Sequence, residues 1–330
     1  MELIIALILV IIMIMIDYYQ PEKFTNYSKC LNPYNLNNIK TKIISKENTK
    51  VVSPCGPSKN VCEHFIGKIN VWIFNNFEKS SVNWLNFGSR NTTEPISDIV
   101  NLCNESVQKN LDSNKYSIKI INQDNLDTLI PEYKSIIGLS NNKYMKYNII
   151  KYAILNKFGG IWIPKDTLIL RNIPYDNSII NGKVITYSRN NNNIIDNKGF
   201  SDEIISMSPK NIISEKMLSY IKANVHTFQN GIQFKNAINK YFNILLSNCS
   251  NHKFVDLTAN TTCSGKFVSN HMLFSTNFIN LYRLSHKSFF PININHIKQF
   301  HKYNYIIRMN KEQLIKSNLF LAYLLKYSLH

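Results

Sequence analysis

The side chain best suited to catalysis is a single carboxylate, Asp166, which follows a short apolar run, Ile161–Ile163. If that run is a strand, alternate side chains at its end point the same way, so Asp166 shares a side with Pro164. A carboxylate in this position can hold a hard divalent cation, which bridges two phosphate oxygens and neutralises a leaving diphosphate. A plainer role remains open, in which Asp166 caps a turn through the residues that follow it.

A buried helix is predicted directly before this strand. Residues Lys143–Phe158 are apolar nearly all round, which indicates a helix that is buried on most of its surface. Gly159 fits the C-terminus of that helix, where a positive φ is needed, and Gly160 lets the chain turn sharply into the strand. Together these elements would hold Asp166 rigidly at the edge of a sheet.

Two polar residues interrupt the apolar helix. Asn148 and Lys151 are three residues apart and therefore share one face. Because burying a lysine without a partner is costly, Lys151 either extends its ammonium group to solvent or faces an anion. The second alternative makes it a candidate for binding an anionic substrate.

The chain before this helix alternates between strand and helix patterns. Strands are predicted at 68–74 and at Tyr116–Ile121, and helix patterns follow them at 96–109 and from Asn125 to Ile130. This alternation predicts an α/β sheet with helices around it.

The pattern is weaker after Leu170. Strands are predicted within 178–187 and at 203–207, and helices at 213–225, 231–246 and 314–327. The polar run 190–193 is either a lid over a site or an ordinary surface loop. The folded domain is predicted to span residues 67–330.

An apolar run of about 14 residues, Leu3–Ile16, lies near the start of the chain. It is short for a spanning helix, no basic residue precedes it, and no small-x-small cleavage site follows it. We therefore predict an uncleaved single-pass membrane anchor at 1–17 and a polar, proline-containing stem at 18–66. A buried helix of a soluble protein is the alternative for the apolar run. Several lysines follow the apolar run, and by the positive-inside rule they weakly favour a cytoplasmic location for the rest of the chain.

The composition indicates a globular protein with an excess of positive charge. Hydrophobic residues make up 44% of the chain, and 38 basic against 21 acidic residues give a net charge of +17. The basic residues are mostly scattered lysines without a block of five or six, so we predict no nucleic-acid partner. An anionic substrate such as a nucleotide sugar suits the same charge.

The six cysteines match no zinc module, because spacings such as the one from Cys55 to Cys62 fit none of the known ligand patterns. A disulfide between these two residues is the easiest local pairing, and free buried thiols are the alternative.

The segment from Tyr147 to Asp166 resembles the core motif of glycosyltransferases with the GT-A fold, of the capsular-polysaccharide-synthesis type. That pattern reads approximately S-D-x-x-R-x-x-x-L-x-x-x-G-G-x-Y/W-x-D-x-D. Leu155, the glycine pair and Trp162 keep its spacing up to Asp166. The resemblance covers residues 68–172 and implies an α/β fold with a GT-A-like, Rossmann-like mixed sheet flanked by helices.

Three positions depart from the family pattern. Pro164 replaces its first motif aspartate, Asn148 its helix aspartate and Lys151 its helix arginine. Asn148 can still bond a ribose or base, whereas Lys151 keeps the charge but lacks the bidentate fork of arginine. The site is therefore weakened, and a catalytically degenerate, glycan-binding or virion structural relative is the alternative to an active enzyme.

The resemblance implies a donor site and a metal. A nucleotide-sugar donor would lie against residues around the motif, namely Asn148, Lys151, Trp162 and Lys165. Mn²⁺ or Mg²⁺ would bind Asp166, with His286 as a candidate second ligand, and the acceptor would be a glycan or glycoprotein. The short apolar run and the Asn- and Lys-rich composition are also similar to glycosyltransferase-like proteins of large DNA viruses, which implies a host or virion membrane.

Overall fold

The computed structural model describes residues 67–75, 98–139, 142–174, 182–189, 199–227, 231–264, 266–294, 297 and 300–329. The predicted anchor at 1–17, the stem at 18–66 and the loop at 190–193 lie outside these residues. Within them, none of the helices is both long enough and apolar enough to cross a membrane.

The strands and helices follow the chain in a mixed α/β order. The strands are β1 (Ile69–Phe74), β2 (Tyr116–Ile121), β3 (Gly160–Ile163), β4 (Thr167–Ile169), β5 (Val184–Arg189), β6 (Phe200–Met207), β7 (His252–Phe254) and β8 (Phe289–Pro291). The helices up to β6 are α1 (Asp98–Asn110), α2 (Gln123–Leu129), α3 (Lys134–Leu139) and α4 (Lys143–Phe158). Those after it are α5 (Ile212–Ala223), α6 (Gly231–Ser247), α7 (Asn270–Leu273), α8 (Asn304–Arg308), α9 (Lys311–Lys316) and α10 (Phe320–Leu329).

Six strands form the main sheet in the order β2-β1-β3-β6-β5-β7. β1 runs parallel to both β2 and β3, while β6 runs antiparallel to β3 and β5. β4, which is the next strand after β3 in the chain, forms a separate antiparallel pair with β8. The predicted mixed sheet flanked by helices is confirmed.

The sheet is buried on both faces, because its central strands alternate apolar side chains between two clusters. Trp72 and Trp162 belong to the cluster with α4, α5 and α6, whereas Val71 and Ile161 belong to a cluster with side chains of α1. Every residue of β3 is buried. Packing on both faces of the sheet therefore fixes β3 up to its last residue, where the next turn begins.

The glycine pair between α4 and β3 allows the start of β3 to lie close to β1. Gly159 and Gly160 have φ angles of 62° and 104°, which favour glycine. A Cβ at Gly160 would lie 2.3 Å from the backbone oxygen of Asn70 in β1. The indole Nε1 of Trp72 donates to the oxygen of Gly159 at 2.7 Å, which joins the same turn to β1.

Several predicted elements agree with the structure to the residue, including α4 and β2. One prediction is wrong, since the single helix expected at 314–327 is two helices, α9 and α10. Asn310 and Gln313 form a capping box that starts α9 early, and Ser317 ends it in an extended conformation. A second capping box, between Asn122 and Asn125, likewise starts α2 before the predicted residue.

The described cysteines differ in state. Cys103 and Cys249 are free and buried, as one of the two alternatives predicted, and Cys263 is disulfide-bonded. Cys55 and Cys62 lie outside the described residues, so their pairing stays a prediction.

Replacing Gly160 by alanine tests the close approach of β3 to β1. We expect Gly160→Ala to lower the free energy of unfolding by about 3 kcal/mol or more, because the new Cβ meets backbone and the φ angle is unfavourable. The measurement is urea unfolding followed by circular dichroism. Gly138→Ala is the matched control, since its Cβ meets nothing within 4 Å and we expect stabilisation of about 0.5–1 kcal/mol. Equal stability of both variants would contradict the packing described here.

Candidate functional site

The candidate site lies where β3 ends. The turn Pro164–Asp166 follows β3 directly and is closed by a hydrogen bond from the backbone nitrogen of Thr167 to the oxygen of Pro164, at 3.1 Å. Because β1, β2 and β3 are parallel, their carboxyl ends meet at the same edge of the sheet. In open α/β sheets this edge is where ligands bind.

The carboxylate of Asp166 is half-buried and held in place by backbone groups. The backbone nitrogen of Ile294 donates to its Oδ2 at 2.8 Å, and the backbone nitrogen of Ile292 donates to its main-chain oxygen at 2.9 Å. Burial raises the pKa of Asp166, and the nearby charge of Glu203 adds to the rise. The Ile294 bond and the charge of Lys165 oppose it without cancelling it.

Lys151 is buried, and the anion that it faces is a carboxylate of the protein itself. Its Nζ lies 2.5 Å from Oδ2 of Asp202 in β6 and 3.1 Å from the backbone oxygen of that residue. The two side chains are only 2% and 6% exposed. Tyr152 also donates its hydroxyl to Oδ2 of Asp202, at 2.7 Å. The ammonium group of Lys151 is therefore neutralised inside the fold.

The pKa of Asp202 reflects this pairing. Burial alone would raise its pKa, but the charge of Lys151 and the hydrogen bonds from Lys151 and Tyr152 outweigh burial and lower it. Burial and the adjacent carboxylate raise the pKa of Tyr152 well above its ordinary value. Asp202 is thus ionised, and Tyr152 is a neutral donor to it.

Of the other predicted donor-binding residues, two make contacts within the fold. Asn148 is buried, and its Nδ2 donates to the backbone oxygen of Tyr144 at 2.8 Å. Trp162 is fully buried, and its Nε1 donates to the hydroxyl of Tyr147 at 2.7 Å. Lys165 is half-buried beside Asp166, on which its charge acts.

The structure does not bring His286 to Asp166. β8 pairs antiparallel to β4 with Thr167 opposite Pro291, so residues before β8 lie at the end of β4 that is farther from Asp166. His286 is exposed in the short turn before β8, on the order of 15–20 Å away at the rise of an extended chain. Among the described residues, no three His, Cys, Asp or Glu side chains are grouped so that they could hold a metal.

Two carboxylates near the site were missed by the sequence analysis. Asp202 and Glu203 are consecutive in β6, so they point to opposite faces, one buried and one exposed. Glu203 pairs with Lys235 of α6 at 3.2 Å. Burial tends to lower the pKa of Lys235, but Glu203 outweighs burial and raises it. Two adjacent acidic residues, one directly before the predicted strand 203–207 and one at its first position, were the signal that could have identified them.

An amide-lined cavity at the same edge was also missed. It lies between Asn75, which follows β1 directly, and the face of α1 that carries Asn104. Its volume is about 470 Å³. The asparagines of α1 lie three residues apart, at 101 and 104, which is a sequence signal for one polar helix face.

Comparisons with known proteins give only distant similarities. No protein-family model and no curated protein match the chain. Similar solved structures include the PaToxG glycosyltransferase, at 11% identity and a TM-score of 0.34 over 58% of this chain and 70% of that one. Another is the apo form of the glycosyltransferase GlyE of Streptococcus pneumoniae TIGR4, at 11% identity and a TM-score of 0.31 over 58% of this chain.

The chain spans 45% of the length of the GlyE structure that it matches. A further structure, titled as a transferase mutant, has 11% identity and a TM-score of 0.28. At TM-scores below 0.5, these similarities support no conclusion about the activity of this chain.

A double-mutant cycle tests the buried ion pair. We expect Lys151→Met and Asp202→Leu each to lower the free energy of unfolding by about 3–5 kcal/mol, because each leaves the other charge buried without its partner. The double variant should recover most of this loss, since no unpaired charge remains. The measurement is urea unfolding of all four proteins. Additive losses in the double variant would contradict the pair as described.

The lowered pKa of Asp202 predicts how stability depends on pH. The pair contributes its full stability above the unfolded-state pKa of about 4, and this contribution is lost as the pH falls through the lower folded-state pKa. The free energy of unfolding should therefore fall more steeply below pH 4 in the wild type than in the Lys151→Met, Asp202→Leu double variant. Parallel pH profiles of the two proteins, measured by urea unfolding, would contradict the assignment.

Proposed function

We propose that this chain is a glycosyltransferase, which moves a sugar from a nucleotide-sugar donor to a glycan or glycoprotein acceptor with the help of a divalent metal. The observation that carries the proposal is the placement of Asp166. Its carboxylate stands at the carboxyl end of β3 and is fixed by the backbone nitrogen of Ile294. The spacing of the motif that leads to Asp166 supports the same function.

The surroundings of Asp166 suit an anionic ligand that arrives with a cation. The chain carries a net charge of +17, which favours a negatively charged donor such as a nucleotide sugar. Near Asp166, the charges of Glu203 and Lys165 act in opposite senses. A ligand with its own phosphates would therefore need the cation to neutralise the added negative charge.

The residues present fit a metal that the protein and the substrate share. Asp166 offers carboxylate oxygens, the ligand type that Mg²⁺ and similar hard cations prefer. Mg²⁺ commonly binds through one or two carboxylates together with substrate phosphates and water, so one protein ligand is compatible with such a site. When bound, the cation would neutralise the charge that develops on the leaving diphosphate.

The protein itself would contribute mainly by positioning the reacting groups. Ile294 holds the direction of the Asp166 carboxylate, and the buried strand β3 fixes the start of the turn that carries it. Fixed groups aimed at the developing charge lower the barrier without reorganising during the reaction. The acceptor hydroxyl oxygen would then bond to the anomeric carbon as the bond from that carbon to the diphosphate breaks, and the hydroxyl proton would pass to the departing diphosphate or to solvent.

A second candidate function is supported by a specific observation. The ammonium group of Lys151, at the position of the arginine in the family pattern, is committed to Asp202, and Pro164 stands in place of the first carboxylate. Both features reduce what the site offers to a donor. They favour a non-catalytic glycan-binding protein that keeps the architecture.

Attachment to a membrane through residues 1–17 is also a proposal, drawn from the apolar run Leu3–Ile16 alone. It would place the site close to membrane-borne glycan acceptors.

Substitution of Asp166 tests the proposed activity. With Mn²⁺ present, we expect the full chain to hydrolyse or transfer sugar from one of a panel of UDP- and GDP-sugars. Asp166→Asn should lower the rate about 100-fold or more, because the cation and the leaving group lose their fixed carboxylate. The measurement is release of UDP or GDP.

Asp127→Asn is the matched control, since Asp127 is half exposed in a surface pair with Lys134, and its rate should stay that of the wild type. Equal rates in the Asp166 and Asp127 variants would remove Asp166 from the mechanism. Nucleotide or glycan binding without turnover in the wild type would favour the non-catalytic function.

A further inference from the structure

The last helix, α10, carries an outward row of side chains next to an exposed ring from another segment. It buries one face in the fold and turns Tyr323, Lys326 and Tyr327 away from it, at the i, i+3 and i+4 spacing of a single helix face. Tyr323 is 38% exposed, and Phe278 is 63% exposed. The ring centroids of these two residues lie 4.9 Å apart. Together the four side chains form the α10 patch, an apolar surface with a cation on it.

Cationic groups border this patch. Nη2 of Arg171 donates to the hydroxyl of Tyr327, and Nζ of Lys109 donates to the backbone oxygen of Leu329 at the end of α10. Within the part of the chain that the structure describes, neither Arg171 nor Lys326 has an ion-pair partner. Both charges therefore remain available to an anion outside the fold.

The segment that carries the patch is strongly basic over its whole length. Residues 257–330 contain nine lysines and arginines and one acidic residue, Glu312. That acidic residue lies 3.5 Å from Nζ of Lys316, to which it is paired at the surface. A surface of one charge sign attracts partners of the opposite sign, so this segment favours an anionic partner.

The arrangement of the rings distinguishes between anionic partners. Phe278 and Tyr323 meet edge to face, with 79° between their planes. These two exposed rings therefore form no flat platform on which a nucleic-acid base could stack. Aromatic side chains flanked by lysines are, by contrast, typical of surfaces that lie at the boundary between lipid headgroups and acyl chains. The patch thus fits an anionic lipid surface better than a nucleic acid.

The patch lies at the end of the domain where the chain before β1 is attached. Nδ2 of Asn110 donates to the backbone oxygen of Ser328, near the end of α10, at 2.8 Å. Five residues later, the backbone oxygen of Lys115 accepts from the nitrogen of Ile69, at the start of β1, also at 2.8 Å. The preceding segment, with its predicted anchor, therefore joins the domain close to the last turn of α10. Both can contact one membrane at the same time.

We propose that the α10 patch rests on an anionic membrane surface, with Phe278 and Tyr323 in the interface and Lys326 and Arg171 against the lipid phosphates. α10 has ten residues, about half of what a spanning helix needs, so it lies in the plane of the surface. The apolar run near the start of the chain is short for a spanning helix. A single weak anchor holds a protein only marginally, and a second contact of basic and apolar side chains makes the attachment stable. The proposal does not depend on glycosyl transfer.

Vesicle flotation with the full chain tests this proposal. The vesicles contain phosphatidylcholine alone or with about 30% phosphatidylserine, which supplies the anionic surface. Every protein carries Leu7→Asp and Ile11→Asp, which interrupt the apolar run so that it does not mask the patch. We expect this parent protein to bind the anionic vesicles about tenfold more tightly than the neutral ones, and less tightly as salt is added.

Substitutions in the patch should weaken this binding. We expect Phe278→Ala and Lys326→Glu each to lower the affinity for the anionic vesicles about fivefold, because one removes an interfacial ring and the other a cation. Ile244→Ala and Lys240→Glu are the matched controls on α6, which belongs to a different core cluster from α10. Ile244 is 48% exposed, and Lys240 is exposed, so both controls should bind like the parent.

A thermal melt separates binding from folding. Because Phe278 and Lys326 are both exposed, their variants should melt close to the parent, and each is independent of the other.

Four results would overturn the proposal. They are equal binding to neutral and anionic vesicles, binding of either patch variant like the parent, equal losses in the α6 controls, and loss of duplex-DNA binding in the patch variants while vesicle binding is kept. The last would assign the patch to a nucleic acid. Release of UDP or GDP from nucleotide sugars is measured separately, and because the patch lies away from Asp166, it should be the same in all these proteins whether or not they bind vesicles.

Discussion

The position of the candidate site depends on hydrogen bonds between the turn after β3 and the chain that leaves β8. Backbone nitrogens of Ile292 and Ile294 donate to the main-chain and side-chain oxygens of Asp166, across about 130 residues of sequence. The pairing of β4 with β8 brings these donors into register. A carboxylate held by backbone groups on a buried strand end is pre-organised, so a cation that bound there, as proposed, would require little further ordering. The C-terminal part of the chain therefore acts on the site through the backbone, and the histidine expected from it lies elsewhere.

The buried pair of Lys151 and Asp202 changes how the motif helix is understood. In the sequence, a lysine on an apolar helix predicts either a path to solvent for its ammonium group or a nearby anion, and an anionic substrate is one candidate for that anion. In the structure the carboxylate comes from β6, and Tyr152 adds a hydrogen bond to it. The charge of Lys151 thus joins the helix to the sheet. Under the proposed function, a donor would therefore be bound through Asp166, through Lys165 beside it and through a cation that the donor brings.

The fold could be predicted from the sequence where local signals agree with tertiary packing. The helix Lys143–Phe158, its glycine pair and the strand after it are specified by apolar patterning and by the need for a positive φ. The site could be predicted only in part, because pairing across long sequence separations leaves no local signal. The bond from Ile294 to Asp166 and the ion pair from Asp202 to Lys151 are both of this kind. The cavity beside Asn75 was missed for the same reason, since its walls come from Asn75 after β1 and from α1, β2 and α9.

The central claim is that the carboxylate of Asp166 receives a divalent cation at the carboxyl end of β3. The most direct measurement is anomalous X-ray diffraction from crystals of the full chain soaked with Mn²⁺ and UDP. The account predicts an anomalous peak within bonding distance of the Asp166 carboxylate and in contact with the UDP phosphates. A peak that lies elsewhere, or UDP bound with no manganese at Asp166, would contradict it.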